Sequence, residues 1–273
     1  MSLFASGLRK LRRRPATWVT LGLLAGLLAL VIIAVGATSN RAGASGPERA
    51  AILSLVTFPQ AYDEILTFIL GLGGLFAVIY GAAIAGSEWQ WGTLKNAVAR
   101  GQSRSRYVLL TFASVAVVIA VGLVITFIVG VVAALVGATI AGVSTSGLTD
   151  SATLGRLPEQ FVRGWVAIVE EGALGFAIAT LAGSQLAGIG AGIALYFGET
   201  FAGIFLPDIV KYLPFSVATA SVATGGAPAG GGFGGGRTVA ALDANTALLL
   251  VVVWLVGALI VAAVYTERAE ISG

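Results

Sequence analysis

The stretch from Tyr107 to Val143 carries no charged residue, and this feature most restricts how the chain can fold. As a helix it would be about 55 Å long, whereas the hydrocarbon core of a bilayer is about 30 Å thick. We therefore expect a membrane helix that protrudes, bends near Gly130 or Gly137, or lies partly in the interface. Apolar runs of about 20 residues predict six spans in all. The predicted spans are about 18–37, 65–86, 107–143, 161–182, 186–206 and 247–265.

The composition excludes a soluble fold. Hydrophobic residues make up 57% of the 273 residues and charged residues only 11%, whereas soluble domains carry about 25% charged residues. We expect a single all-α transmembrane domain over residues 1–273. The chain has no Cys and no His, which removes disulfides, thiolate metal sites and the commonest general base. We therefore expect no catalytic, cofactor or metal site in this chain, and no nucleic-acid partner.

Basic residues are concentrated at three places that a six-span topology puts on one side of the membrane. These places lie before the first span, between the second and third spans, and after the sixth. They hold ten of the sixteen Lys and Arg residues. Because cytoplasmic loops carry an excess of Lys and Arg, we expect both termini in the cytoplasm and a multi-pass location in the plasma (inner) membrane. The ten residues are Arg9, Lys10, Arg12, Arg13, Arg14, Lys95, Arg100, Arg104, Arg106 and Arg268.

The first residues predict an amphipathic helix at the membrane surface. Phe4, Leu8 and Leu11 are spaced as i, i+4 and i+7, and basic residues occupy the other side. Such a helix lies along the inner leaflet with its positive face toward anionic headgroups. A plain positive-inside anchor explains the same residues. A cleaved signal peptide is disfavoured, because the apolar run that follows is longer than the usual length of about 7–15 residues.

Small residues recur at a spacing of four in two of the predicted spans. Gly188 and Gly192 lie in the fifth span, and Gly22 and Gly26 lie in the first. This spacing lets helix backbones approach each other closely. It predicts either packing within one subunit or a dimer interface along one or both helices.

The loop before the last span has two parts. Its first half, from Pro207, predicts short helices on the outer membrane surface, and its Gly-rich second half, 225–236, is expected to be mobile. The sequence GGFGGGRT at 231–238 is one residue from a phosphate-binding P-loop. It lacks the Lys that reaches the phosphates, has no α/β context and faces away from the cytoplasm. We interpret it as a flexible loop and expect no nucleotide site in this chain.

Three acids occur inside predicted spans: Glu170 and Glu171 in the fourth, and Glu199 in the fifth. A charge near the middle of a bilayer costs at least about 2.5–3.5 kcal/mol, so such residues usually face a cavity or a partner. One interpretation is a substrate or proton path. Another is a fourth helix that begins later, leaving Glu170 and Glu171 near the outer interface. A third is that the acids are protonated and hydrogen-bonded between helices.

Residues 87–106, which we call the connector, interrupt the apolar sequence between the second and third spans. The pattern predicts a short helix from Thr93 to Ala99 with glycines as breakers at positions 92 and 101. The small apolar face of this helix consists of Leu94, Ala97 and Val98. A positive-inside loop anchored by its Trp residues explains the aromatic and basic residues of the connector, but it does not explain an ordered helical turn.

The connector resembles the segment between the second and third spans in permease subunits of type-2 ABC exporters. That family has Glu, then Gly-Thr-Leu with a basic residue, an apolar turn, and Ser-Arg at the entry of a long helix. The positions that match in order are Glu88, Gly92, Thr93, Leu94, Lys95, Ser103 and Arg104. The Pro and Lys that the family commonly has are replaced here by Gln102 and Thr111. Elsewhere the likeness lies in the layout of a basic N-terminus, six spans and a long last external loop.

The resemblance implies both a mechanism and partners. Two permeases would pair, as a homodimer or with a related chain, within the lipid bilayer. Each would dock its connector, as a coupling helix, on one of two cytoplasmic ABC ATPase subunits. ATP and Mg would bind there, so ATP hydrolysis is expected in the partner and the substrate path in this chain. We expect Glu88 and Arg104 to orient the connector, either as a pair or separately. The expected ATPase contact face is Leu94, Ala97 and Val98.

Two other function classes stay open. An ion-coupled secondary transporter or channel would use Glu170, Glu171 and Glu199 and would work without ATP. A non-transporting membrane scaffold would have tight partners but no flux. The sequence shows no obvious internal repeat of the kind that many secondary transporters have, which weakens the first of these classes.

Overall fold

The computed structural model describes residues 3–39, 49, 52–222 and 242–269, and this part of the chain is all-helical with no strand. The Gly-rich segment 225–236 and the P-loop-like sequence 231–238 lie outside the described residues. A short 3-10 helix spans Ser146–Thr149. The α-helices are α1 (Leu3–Arg13), α2 (Pro15–Thr38), α3 (Gln60–Gln90), α4 (Thr93–Ala99), α5 (Arg104–Ala141), α6 (Ser151–Ala182), α7 (Gln185–Phe205), α8 (Pro207–Val210), α9 (Pro214–Val222) and α10 (Ala244–Arg268).

Six of these helices are long and apolar enough to cross a membrane: α2, α3, α5, α6, α7 and α10. The chain is therefore a multi-pass membrane protein, as the apolar runs predict. Most helices extend beyond the predicted spans, because polar residues at their ends continue the helix outside the apolar core. The fourth span begins earlier than expected, at Ser151, so the alternative in which it begins later is wrong.

The start of α6 is set by a side-chain cap. The Asp150 carboxylate accepts hydrogen bonds from the Thr153 hydroxyl at 2.6 Å and the Thr153 N–H at 2.9 Å. Such a cap satisfies a backbone donor that has no partner within the helix. The bond from the Thr153 side chain, and then that from its backbone, lower the pKa of Asp150 below its ordinary value. The cap therefore stays ionised at neutral pH.

The third span is one uninterrupted helix of 38 residues, and it continues through Gly130 and Gly137. Its length of about 57 Å exceeds the hydrocarbon core, so it extends beyond the core rather than breaking at either glycine. The two glycines serve close packing instead. A Cβ added at Gly36 of α2 would lie 2.6 Å from the Gly137 Cα atom, so α2 and α5 nearly touch there.

Helices α3 and α6 form the centre of the bundle. Both are mostly buried, whereas α2, α7 and α10 are mostly exposed. Their close approach depends on glycine, because a Cβ at Gly81 would overlap the Gly172 carbonyl oxygen, and one at Gly175 would overlap that of Val78. Glycine-mediated approach is the usual way for membrane helices to gain packing contacts, since lipid provides no hydrophobic drive for association.

The small-residue patterns divide between two roles. Gly188 and Gly192 are buried inside the chain, where added Cβ atoms would overlap Ala179 and Val78. The structure therefore uses them for packing within one subunit, and their assignment to a dimer interface is wrong. Gly22 and Gly26 are exposed and have open space around them, so a dimer interface along α2 stays a prediction.

Helix α1 packs along the third span rather than lying only on lipid. The Ser114 hydroxyl donates to the Phe4 carbonyl at 3.4 Å, and Gly7 lies against the same serine. Leu11, from the predicted apolar face, is 2% exposed. The amphipathic helix is present as predicted, but part of its apolar face contacts the protein. We call the end of the bundle that carries α1, α4 and the end of α10 the connector end.

Candidate functional site

The connector folds as its residue pattern predicts. Helix α4 spans Thr93–Ala99, and the glycines on either side adopt left-handed backbone conformations with φ of 63° at Gly92 and 80° at Gly101. Only glycine adopts such conformations without steric cost. The next helix begins after Ser103, whose hydroxyl accepts the Arg106 N–H at 3.3 Å. The connector is thus an ordered helical turn between two long spans.

The orientation of α4 differs from the prediction. Leu94 is 2% exposed and packs inward among residues of α3, α5 and α6, beside Phe176 and Thr180. Ala97 and Val98 are half-buried, whereas Lys95 and Arg100 are exposed. The predicted contact face of Leu94, Ala97 and Val98 is therefore wrong for Leu94, because an apolar side chain gains more by packing against its own bundle. Leu94→Asp would disrupt this packing rather than test an outer surface.

A buried carboxylate joins the connector to α1. Glu88 lies in the last turn of α3, and its side chain is 7% exposed. One oxygen, Oε1, accepts from Lys10 Nζ at 2.5 Å and from Arg14 Nη2 at 3.1 Å. The other, Oε2, accepts from the Thr93 hydroxyl at 2.5 Å and the Tyr107 hydroxyl at 2.6 Å. We call these five residues the Glu88 cluster.

The Glu88 cluster satisfies a charge that would otherwise be costly to bury. A buried carboxylate is tolerated when opposite charges and hydrogen bonds replace its water. Arg14 also donates to the Ser87 hydroxyl at 2.7 Å and lies over the Trp91 ring, 5.2 Å from its centroid. The Glu88 carboxylate of α3 therefore holds together α1, the start of α2, α4 and α5, which supply the donors Lys10, Arg14, Thr93 and Tyr107 respectively.

Arg104 does not pair with Glu88, so the predicted Glu88–Arg104 pair is wrong. Its guanidinium instead donates to carbonyl oxygens at the end of α10, at 3.3 Å for Glu267 and 2.7 Å for Ala269. A cation at this position satisfies carbonyls that have no partner within the helix. The Glu267 carboxylate in turn accepts the Ser105 N–H at 2.9 Å. The connector is thus tied to α1 at its start and to the end of α10 at its finish.

The basic partners of Glu88 were missed by reasoning from the sequence. Lys10 and Arg14 were interpreted only as residues that set orientation or face lipid. One signal could have found them, because Glu88 is the only acid in the connector and lies on the side that carries most of the basic residues. Tyr107 carried no such signal, since a Tyr at the start of a membrane helix is common at interfaces.

The fold brings the three intramembrane acids into one region, close enough for electrostatic interaction. Glu170 is fully buried, and neither of its oxygens has a hydrogen-bond partner among the described residues; the same holds for Glu171 Oε2. The Glu171 carboxyl group occupies the space that a Cβ at Gly74 would need. A substrate or proton path through these acids stays a prediction.

Glu199 has a structural partner that the sequence did not indicate. Its carboxylate accepts the backbone N–H groups of Phe215 at 3.2 Å and Ser216 at 2.6 Å. These donors lie in the first turn of α9, where N–H groups lack partners within the helix and the helix dipole favours negative charge. Glu199 therefore fastens α9 to α7.

Glu199→Leu is expected to lower the free energy of unfolding by about 1–3 kcal/mol, because it leaves the two N–H groups without an acceptor. Glu199→Gln keeps one acceptor oxygen, so its free energy of unfolding should fall clearly less than that of Glu199→Leu. Thermal unfolding of the purified chain in detergent measures both variants. Wild-type stability of Glu199→Leu would rule out the capping role.

A family model described as "Protein of unknown function (DUF2705)" matches residues 48–265. The chain belongs to the DUF2705 family. Comparison with curated proteins finds no match. The matched region of this DUF2705 member contains the whole connector, including Glu88 and Arg104, but it excludes α1. Lys10 and Arg14, the basic partners of Glu88, therefore lie outside the part of the chain that the DUF2705 model matches.

Proposed function

We propose that this DUF2705 chain is the membrane-spanning subunit of an ATP-driven ABC exporter and couples through its connector to a separate ATPase. The observation that carries the proposal is the connector itself. It is a short helix between two left-handed glycines, held on the bundle by the Glu88 cluster at one end and by Arg104 at the other. A surface that must transmit force to the bundle needs rigid attachment of this kind.

The proposed orientation puts the connector end in the cytoplasm of the plasma membrane. Ten of the sixteen basic residues belong to α1, the connector and the end of α10, and the positive-inside rule supports a cytoplasmic side for them. Both termini would then lie on the ATP side. ATP and Mg would be held by the partner ATPase, in two copies, beneath a pair of permease chains.

Coupling requires that ATP change the energy of one permease conformation relative to another. ATP can shift this equilibrium only if the closed ATPase dimer fits the outward-open arrangement better than the inward-open one. In the proposed mechanism the closing ATPase moves α4. Because Glu88 and Tyr107 link α4 to the ends of α3 and α5, the movement reaches both spans as a rigid-body shift.

The class of function is tested by purifying the tagged full chain from its native membrane. The proposal predicts an ABC ATPase subunit in stoichiometric amount, and substrate-stimulated ATP hydrolysis by the complex. Tight partners without an ATPase and without flux would instead support the scaffold class. That result would overturn the proposal, as would an ATPase whose hydrolysis no substrate stimulates.

Arg100→Glu should reduce the amount of co-purified ATPase about tenfold or more, because a charge reversal in a protein interface opposes both encounter and binding. Arg100 is exposed at the end of α4 and leaves the bundle interior untouched. Arg156→Glu is the matched control, since Arg156 is an exposed arginine on α6 at the other end of the bundle. Equal recovery of the ATPase with both variants would contradict docking through α4.

A second candidate function rests on Glu170 and Glu171. Both oxygens of Glu170 and Oε2 of Glu171 lack hydrogen-bond partners among the described residues. Buried carboxylates of this kind are typical of ion or proton pathways in membranes. An ion-coupled transporter would move substrate in vesicles that contain only this chain and an ion gradient, with no ATP. Glu171→Gln would abolish that movement. Transport that needs both the ATPase and ATP would exclude this candidate.

A further inference from the structure

A cavity of about 500 Å³ lies between the first three spans and does not belong to the connector site. Its size falls within the range of about 300–1,000 Å³ that is typical of ligand pockets. The walls come from α2, α3 and α5, with one residue of α6, and α1 closes the end nearest the connector. The walls are almost wholly apolar, and their larger side chains include Leu21, Leu24, Phe76, Val121 and Ile125. We call this cavity the groove.

The groove exists because α2 and α5 separate toward the connector end. At Gly36 and Gly137 the two helices nearly touch, but beside Gly122 the nearest atom to an added Cβ is Leu21 Cδ1 at 3.8 Å. The separation is open on its outer side, where Trp18 is 57% exposed and Val121 is 54% exposed. In a bilayer that side faces lipid, so an acyl chain can enter the groove sideways.

Two cations lie at the α1 end of the groove. Arg9 and Arg12 both line it and both are exposed. Across the part of the chain that the structure describes, no carboxylate lies within ion-pair distance of either guanidinium. Their neighbour Lys10 points to the Glu88 cluster instead. The groove is apolar and has two arginines without ion-pair partners at its interfacial end. This arrangement fits a lipid that has an apolar chain and an anionic headgroup.

We propose that the groove binds one anionic phospholipid, with an acyl chain between α2 and α5 and its phosphate at Arg9 and Arg12. The groove extends along α3 from Tyr80 to Ile69, about 16 Å, which accommodates a long part of an acyl chain. Trp18 lies at the same end, and its indole N–H donates to the Arg12 carbonyl at 2.8 Å. This contact places its ring at the headgroup level, where Trp is enriched in membrane proteins.

The proposal does not depend on the ATPase partner, but it has a consequence for the Glu88 cluster. Helix α1 presents Lys10 to Glu88 and presents Arg9 and Arg12 to the groove. A lipid phosphate bound to the two arginines would therefore hold α1 in the position that the Glu88 cluster requires.

The test is native mass spectrometry of the purified full chain with equal amounts of dioleoylphosphatidylglycerol and dioleoylphosphatidylcholine. We expect one phosphatidylglycerol molecule to bind about tenfold more tightly than phosphatidylcholine, since two basic residues attract its net charge. Arg9→Gln with Arg12→Gln should abolish this preference. Arg13→Gln with Arg106→Gln, which removes two exposed arginines that do not line the groove, should preserve it.

A matched pair of variants tests whether the lipid acyl chain occupies the apolar part of the groove. Gly122→Leu fills the groove and should abolish binding, and Val121→Phe is a second groove-filling variant on an exposed position if the first does not fold. Gly257→Leu adds the same side chain to an exposed, open position of α10 and should leave binding intact. Both glycines lie within helices, where Leu is the better helix former.

Three results would overturn the proposal. Equal binding of the two lipids would mean that Arg9 and Arg12 do not select an anionic headgroup. Equal loss of binding in Gly122→Leu and Gly257→Leu would mean that the lipid binds only to the general surface. Binding that inorganic phosphate removes and that Gly122→Leu leaves unchanged would mean a site for free anions rather than for a lipid.

Discussion

Glu88→Gln is expected to lower the free energy of unfolding by about 2–4 kcal/mol. Removing one member of a buried ion pair costs about 3–5 kcal/mol, because the remaining charges stay buried without compensation. The expected cost is somewhat smaller here because the Lys10 side chain is 36% exposed, although that of Arg14 is only 12% exposed. Thermal and denaturant unfolding of the purified chain in detergent measure the change.

The matched control for this variant is Glu159→Gln. Glu159 also pairs with an arginine, Arg163, at 2.8 Å, but its side chain is 67% exposed. Exposed pairs contribute about 0–1 kcal/mol, so the control should change stability little. A double-mutant cycle that combines Glu88→Gln with Lys10→Met isolates the pair itself, and we expect clear non-additivity. Equal effects of Glu88→Gln and Glu159→Gln would contradict the role of the Glu88 cluster.

Gly81→Ala is expected to be the most damaging single-methyl change in the bundle, with a cost of about 3 kcal/mol. The added Cβ would overlap the carbonyl oxygen of Gly172 and lie 3.2 Å from the Phe176 nitrogen. Backbone atoms cannot rotate away as a side chain can, so α3 and α6 would have to separate. Overpacking of this kind typically costs about 1–3 kcal/mol, and the upper end applies at a contact between backbones.

Gly71→Ala provides the control in the same helix. An added Cβ at Gly71 meets nothing within 4 Å. Since Ala is a better helix former than Gly, this variant should be neutral or more stable by up to about 1 kcal/mol. The measurement compares the unfolding midpoints of the two variants in the same detergent. A Gly81→Ala protein as stable as the Gly71→Ala protein would show that the two central helices do not depend on this close approach.

The local pattern of residues in the sequence was sufficient to predict the helices. Six apolar runs predicted six spans, and the predicted bounds of the connector helix, Thr93 to Ala99, are those observed. These features depend on residues that are near each other in the chain. A run of apolar side chains makes a membrane helix wherever it occurs, and a glycine at position 92 or 101 permits a left-handed turn without help from the rest of the protein.

Local pattern did not reveal what each connector residue contacts. The periodicity of Leu94, Ala97 and Val98 correctly indicated an apolar face, but both a partner and the chain's own bundle can bury such a face. The pairing of Glu88 with Arg104 kept both partners within the connector, and it is wrong. The fold instead gives Arg104 the end of α10, and it gives Glu88 a lysine from α1.

The sequence by itself determined that this is a six-span, all-helical membrane protein with an ordered connector, because spans and turns follow from short-range hydrophobicity and backbone preference. The tertiary structure alone decided which donors satisfy Glu88, which glycines bring helices together, and where the groove opens. Lys10 and Glu88 are 78 positions apart, and α2 and α5 are separated along the chain by another membrane-spanning helix, α3. Such pairings depend on how the helices pack, which no local pattern encodes.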